Sequence, residues 1–437
     1  MTLTVLTDDE IRSLLENLTL DDLEGFSDAL ASALYEYSTG ASSDGKADGE
    51  ESDTRQPERI SVRRRDTGAT TLFMPSSNSA GNAVKVITLS SPSSATAEPK
   101  EAAAATSDST AQPKPAVVRP TGAITLFDRV GTPLGLLHAS VLTGFRTALA
   151  SLALVRRRSA PLRTIVVFGR GGQAYWHARL ALLARGRDVR RVVFVCRSRP
   201  DATATSSAAT TSTASGDVNS EKGRGGSDAA RSRSRTVLPA VAEQLAEGVP
   251  VEVREREGWT GCEFGVLAAD EESYAARLTE LLREADAVFC CTPSTEPLFD
   301  AAALGGDKTR LVVAIGSYTP QMRELPRELV RQALTPREEK EAGVVIVDTI
   351  EGALKEAGEL IDVGAKPEQL VEIGELLVPK GLGERARDTR RDRLEQWIQT
   401  GNVIYKSVGL GLMDLSIGMH IIEFAKQKGI GTHIPGF

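Results

Sequence analysis

Residues 166–182 read VVFGRGGQAYWHARLAL. An apolar strand runs into a glycine-rich turn, and the turn opens a helix. Gly169, Gly171 and Ala174 fit the pattern G-x-G-x-x-G/A directly after the strand Thr164–Phe168. In that pattern the first glycine permits the tight turn, the second lets a pyrophosphate approach the backbone, and the small third residue lets the helix pack on the strand. Gly172 and Gln173 open the helix, whose free N–H groups face an anion. The next strand, RRVVFVC, follows at the right distance, so the stretch reads as a dinucleotide cradle rather than an ordinary glycine turn.

The end of that second strand selects the cofactor. An NAD site usually carries Asp or Glu there for the ribose 2′-hydroxyl. Here the sequence is VCRSRP, and Arg197, Ser198 and Arg199 replace the acid. Guanidinium and hydroxyl groups suit a 2′-phosphate, which favours NADP(H) over NAD(H).

Outward from this core the chain alternates strands and helices. RTIVVF, RRVVFVC, VEV, ADAVFCC, RLVVAI and GVVIVD read as strands, with helices after Gly172 and at 237–247 and 271–284. Near-continuous Val/Ile strands separated by helices indicate a parallel sheet covered on both faces. Before it, AVKVITL (83–89), AITLFD (123–128) and PLGLLH read as strands, followed by a helix from about Ser140 to Arg158. The N-terminus reads as a strand and an Asp-capped helix, without the pattern of a signal peptide. The last segment reads as a loop and an amphipathic helix returning to the first domain. The expected fold class is α/β, a Rossmann domain plus an α+β domain built from both chain ends.

Composition narrows the function. The 437 residues suffice for two domains, and a net charge of −7 argues against a nucleic-acid binder. Cys196, Cys262, Cys290 and Cys291 lack metal-ligand spacing with the four histidines, so no metal site is expected. The adjacent pair in ADAVFCCT reads as reduced core thiols of a cytoplasmic protein. No apolar run approaches the roughly 20 residues of a membrane span. Residues 38–56, 90–116 and 200–235 are rich in Ser, Thr, Ala, Asp and Gly and read as disordered insertions.

The segments TGAITLFDRVGTPLGLLHASVLTGFRTALAS, FGRGGQA, ADAVFCCTPSTEPLF, AIGSYTPQMREL, VIVDTIEGALKEAGEL and YKSVGLGLMDL occur in one order along the chain. In that order they resemble the ornithine cyclodeaminase/mu-crystallin family. The resemblance implies a homodimer of two-domain subunits. Residues 1–158 and 390–437 would form the substrate and dimerisation domain, and 160–388 the Rossmann domain. It also implies a nicotinamide cofactor facing a small amino or imino acid. Arg59, Lys85 and Arg146 match the family's substrate-carboxylate positions. The residues support the last two independently, since each sets a cation on an apolar face, which calls for an anion; an internal ion pair or snorkelling is the plainer explanation. Thr292 follows a strand at the cleft edge and is a cofactor candidate. Ser407, Val408 and Gly409 match a family segment near the nicotinamide. His177 reads as packing.

One departure separates the family's branches. The cyclodeaminase branch has an aspartate where this chain has Tyr318. A phenol is a poor base near neutral pH. The branch resembling ketimine reductases also lacks the aspartate, which favours NADPH-dependent reduction of an imino acid in amino acid metabolism. Lys85 is the first candidate for protonating the imine and Tyr318 the second. The alternatives are a cyclodeaminase recycling bound NAD and a non-catalytic binding protein. Limited proteolysis should cut first within 38–56, 90–116 or 200–235; early cleavage inside VVFGRGGQAYWH would contradict the domain scheme.

Overall fold

The computed structural model describes residues 2–40, 53–90, 119–198, 240–306, 308–335, 343–379 and 389–437. The first half carries strands β1 (Thr2–Leu6), β2 (Ile60–Arg63), β3 (Thr70–Asn78), β4 (Gly81–Ser90), β5 (Arg119–Phe127) and β6 (Pro133–His138). The second carries β7 (Thr164–Phe168), β8 (Arg191–Cys196), β9 (Glu263–Ala268), β10 (Ala287–Cys290), β11 (Leu311–Ala314), β12 (Val345–Val347), β13 (Leu370–Glu372), β14 (Val403–Lys406) and β15 (Thr432–Pro435). Helices α1 (Asp8–Glu16), α2 (Leu20–Thr39) and α3 (Ala139–Arg157) belong to the first half. Then follow α4 (Gly172–Arg185), α5 (Ala240–Ala246), α6 (Val251–Glu257), α7 (Tyr274–Glu284), α8 (Arg327–Leu334), α9 (Ile350–Glu356) and α10 (Gly358–Asp362). The last are α11 (Ile373–Leu376), α12 (Thr389–Thr400) and α13 (Gly411–Lys428).

Two sheets organise the molecule. One has the order β15-β1-β6-β5-β4-β3-β2, mostly antiparallel. The other has the order β13-β12-β14-β11-β10-β7-β8-β9, and its neighbours pair in parallel. The chain thus has the expected α/β class, with the doubly wound sheet reversing direction between β7 and β10. In such sheets the usual place for a ligand is outside the carboxyl ends of the strands, at the point of that reversal.

Several expectations change in detail. The first helix is capped by Thr7, not by Asp: the Thr7 hydroxyl accepts from the Glu10 N–H while the Glu10 carboxylate accepts from the Thr7 N–H. Asp8 is instead drawn away to accept from the Val141 N–H and meet His138 Nδ1. VEV is not a strand but opens α6. Pro250 precedes it, and Gly258 closes it in a left-handed turn at φ 82°. The strand that joins the sheet there is EFGVLA, β9, paired to β8. β14 is inserted between β12 and β11, so the chain returns to the first sheet only after Lys406, not at 390. α13 is more widely buried than an amphipathic helix: Gly411 through Gly418 are all buried, as are Ile421, Ile422, Phe424 and Ala425, while Glu423 is exposed, and the helix packs against the first sheet and α2. Within 38–56, Ser38 and Thr39 complete α2, Gly40 caps it, and Arg55 bridges Ser77. Residues 41–52, 91–118 and 199–239 lie outside the described residues.

The cradle helix α4 is anchored by charge. Arg179 donates two bonds of 2.8 Å to the Glu257 carboxylate, and both side chains are 2% exposed. Trp259 Nε1 donates a third at 2.7 Å. Breaking a buried pair strands the remaining charge, at about 3–5 kcal/mol. Glu257→Ala should therefore lower unfolding free energy by about 3–5 kcal/mol, measured by denaturant titration; a change under about 1 kcal/mol would contradict the anchor.

Candidate active site

The cradle forms as its sequence requires. Gly169 has φ 117°, and a Cβ there would meet the Cys291 carbonyl oxygen at 3.0 Å. Its N–H donates to the Val195 oxygen at 2.9 Å, which ties the turn to β8. Gly171 and Gly172 are different: a Cβ at either would meet nothing within 4 Å. Gly171 caps α4 without any side-chain bond, so the helix N-terminus faces open space. Ala174 is fully buried beneath it. Two buried polar atoms at this edge, Gln173 Oε1 and Thr292 Oγ1, have no hydrogen-bond partner. Buried polar atoms are nearly always paired, so such orphans mark a place for a ligand. Open glycines, a free helix end and unpartnered atoms together fit a dinucleotide. Arg197 and Ser198 follow β8 and are exposed, while Arg199 lies outside the described residues.

The cations gather beside the end of β14. Lys85 sits on β4 in register with Met74 and Ile124, on the sheet face that packs on α13. Its Nζ donates to Thr143 Oγ1 at 2.8 Å and to both oxygens of Asp414 at 3.1 and 3.2 Å. Arg146, on α3, places Nη2 3.4 Å from Asp414 Oδ2 and Nη1 3.3 Å from Met413 Sδ. All three charged groups are at most 4% exposed. The internal ion pair expected as the plainer explanation is therefore present. It is incomplete, because two cations share one carboxylate and one positive charge is left over. Arg146 Nε is also buried without a partner. Burial pushes the Lys85 ammonium down to about 8, with Asp414 pulling the other way and Arg146 adding to the fall.

Arg59 lies at the rim, ion-paired with Glu356. It borders a cavity of about 150 Å³ lined also by Tyr37, Gln56, Thr349 and Gly409. The structure thus brings Lys85 and Arg146 into one group and leaves Arg59 with its own counter-ion. Gly409 joins cavity and cations: its φ of 91° is a backbone conformation that favours glycine, and a Cβ there would stand 3.4 Å from Arg146 Nη2.

The donors of the segment 407–409 are already used. Ser407 Oγ donates to Asp348 at 2.6 Å, Val408 N at 3.1 Å and Gly409 N at 2.7 Å. Tyr318 is half-buried, and burial raises its phenol, so it stays neutral. Lys85 bonds to Thr143 and Asp414 rather than to Tyr318. His177 is buried between Ser151 Oγ and the Gln173 carbonyl, pushed down to about 4 by burial, and packs as a neutral ring. The four cysteines are free thiols. Among the described residues no group of His, Cys, Asp and Glu could hold a metal, and no helix is long and apolar enough to cross a membrane.

Asp414 and Asp348 were absent from the candidate residues. Each had a signal: Asp414 is the single acid in VGLGLMDLSIGM, and Asp348 ends the apolar strand VVIVD.

No protein-family model matches the chain. An uncharacterized protein of Saccharomyces cerevisiae is 30% identical over 149 residues, 33% of this chain and 38% of the relative. A Δ1-pyrroline-2-carboxylate reductase of Bacillus cereus is 29% identical over 160 residues, 36% of this chain and 42% of the relative. The match thus spans less than half the length of these curated relatives. Among solved structures, Thermococcus litoralis Δ1-pyrroline-2-carboxylate reductase in complex with NADH and L-proline aligns with TM-score 0.60 at 18% identity, covering 98% of this chain and 99% of its own. A probable ornithine cyclodeaminase from Bordetella pertussis aligns with TM-score 0.57 at 20% identity, covering 98% of each chain. An archaeal alanine dehydrogenase dimer with bound NAD aligns with TM-score 0.59 at 17% identity over the full length of both.

Filling the open cradle tests it without disturbing the fold. Gly171→Val should leave the unfolding midpoint within about 2 °C, since nothing is met, yet weaken nicotinamide dinucleotide binding by on the order of 100-fold in a fluorescence titration. Unchanged binding would remove the cradle from the site.

Proposed function

Starting from a chain with homologues among Δ1-pyrroline-2-carboxylate reductases and the fold of the ornithine cyclodeaminase/mu-crystallin family, we propose that it reduces a small cyclic imino acid with NADPH. The observation that carries this reading is the incomplete pairing of Lys85 and Arg146 by Asp414. A buried site holding one excess positive charge is balanced by one carboxylate. An imino acid brings one carboxylate beside the C=N carbon. Arg146, with a free Nε–H, grips it, and Arg59 closes the rim.

The bound nicotinamide supplies the hydride. Gly169, Gly171, Gly172, Gln173, Ala174 and Thr292 would hold the dinucleotide, together with Ser407, Val408 and Gly409. Arg197, Ser198 and Arg199 take the 2′-phosphate. The chain's own residues then have two tasks. Arg146 orients the substrate carbon, which converts an encounter into a fixed geometry. Lys85 keeps the imine nitrogen protonated, since an iminium accepts hydride better than an imine. A lysine held at about 8 gives up its proton readily near neutral pH and loses that ability above it. Tyr318 is the second donor candidate.

The cyclodeaminase reading has one observation in its favour, the shared fold. Tyr318 opposes it, because a neutral phenol replaces the carboxylate that would manage protons during ring closure. The subunit pairs with a second copy through the outer face of the first sheet, where Ile60, Val62, Phe73 and Leu136 stand exposed on one side. The free thiols fit a cytoplasmic protein.

Purified protein should oxidise NADPH with Δ1-pyrroline-2-carboxylate and release no ammonia from L-ornithine with NAD. Ammonia and proline from ornithine would restore the cyclodeaminase. Arg146→Ala should keep NADPH affinity while kcat/KM falls on the order of 10- to 100-fold, the value of one charge-assisted bond. Near-normal kcat/KM would reduce Arg146 to a structural partner of Asp414. The rate should fall as pH rises through about 8, when Lys85 loses its proton; a rate still climbing there would exclude Lys85 as donor.

A further inference from the structure

Beneath the cofactor-facing loops lies a second buried charge cluster that the proposed reaction does not use. Lys406 Nζ, at the end of β14, stands 3.1 Å from Glu324 Oε2 and 2.9 Å from Glu359 Oε1. It also donates to Ser317 Oγ at 2.8 Å. All three charged side chains are at most 1% exposed. Glu324 reaches beyond the cluster. Its Oε2 accepts from the Gly316 N–H at 2.6 Å, and its Oε1 accepts from the Thr292 N–H at 3.3 Å. Those two residues begin the loops after β11 and β10. The loops touch there: a Cβ on Gly316 would stand 2.1 Å from the Thr292 carbonyl oxygen. The loop after β10 carries the unpartnered Thr292 hydroxyl, and the loop after β11 carries Tyr318.

We propose that Glu324 is a positioning residue, whose ionised carboxylate staples the Thr292 loop to the Gly316 loop and so fixes both sides of the cofactor cleft. Two carboxylates and one ammonium leave one negative charge in a site where every charged side chain is buried. Such a charge is costly, and a proton removes it. The groups facing Glu324 are Lys406 on β14, Glu359 on α10, and Cys290 and Cys291 at the end of β10. Burial and Glu359 push the Glu324 carboxyl up to about 7, with Lys406 opposing. Above that pH the carboxylate accepts both loop N–H groups. Below it, a protonated oxygen is a poorer acceptor and the staple loosens.

The kinetic part of this inference rests on the reductase reading; the exchange part does not. Glu324→Gln puts an NH2 group where an acceptor is needed. At pH 8 it should lower kcat at least 10-fold, with KM for the imino acid changed less than threefold. The wild type should show an acid limb in kcat near pH 7, and the variant should not. Wild-type kcat together with a retained acid limb would overturn the proposal. Hydrogen exchange on the wild type needs no variant. After correction for intrinsic rates, the amides of Thr292 and Gly316 should lose at least 10-fold of their protection between pH 8 and pH 6. Equal protection at both pH values would overturn the proposal even if no turnover is found.

Discussion

The Asp414 carboxylate, caught between Lys85 and Arg146, is the contact on which the site depends. It joins α13 to β4 and to α3, three elements from distant parts of the chain. Without it, two like charges would face each other in a dry interior, at a cost of several kcal/mol. With it, the site keeps one positive charge and one unpartnered guanidinium N–H. The same contact therefore joins the core of the first half and leaves two buried cations on one carboxylate. The link reaches the cradle as well. Thr143 Oγ1 accepts from Lys85, and the Thr143 carbonyl lies 3.5 Å from Gln173 Nε2 at the start of α4. The buried cations and the start of α4 share one hydrogen-bonded path.

At the other sheet, buried acids do comparable work on backbone N–H groups. Asp348 takes those of Val408 and Gly409, and Glu324 takes those of Thr292 and Gly316. Loops at the carboxyl ends of parallel strands carry many donors that the ladder does not use. Fixing them internally makes the loops rigid and limits what they offer a ligand. Among the described residues at this edge, what remains open is the pair Gly171 and Gly172, the Thr292 hydroxyl and the Gln173 side-chain Oε1. That small set is compatible with a cofactor that supplies the reactive chemistry while the protein orients it.

The parts of this arrangement that were legible in the sequence are the local ones. The strand, glycine turn and helix of 164–185 are contiguous, and their residues state their own conformations. Lys85 and Arg146 stood out because a cation on an apolar face is anomalous. Their partner did not, since Asp414 is 329 residues from Lys85 along the chain and only the fold brings them together. Glu324 and Asp348 escaped for the same reason. VEV misled because β-branched residues also begin helices when a proline precedes them, as Pro250 does. The continuous burial of Gly411 through Gly418 in α13 comes from the first sheet and the helices α2 and α3 around it, not from its own periodicity.

On the proposed reading, Asp414 leaves one buried positive charge for one substrate carboxylate. The most direct measurement compares L-proline with L-prolinamide by calorimetric titration, with the reduced cofactor bound and at neutral pH. The two ligands share ring and amine and differ in the charge that Arg146 and Lys85 are left to meet. The account predicts that L-proline binds and that the amide binds at least 100-fold more weakly. Equal affinities would contradict it, and would mean that Asp414 already satisfies both cations.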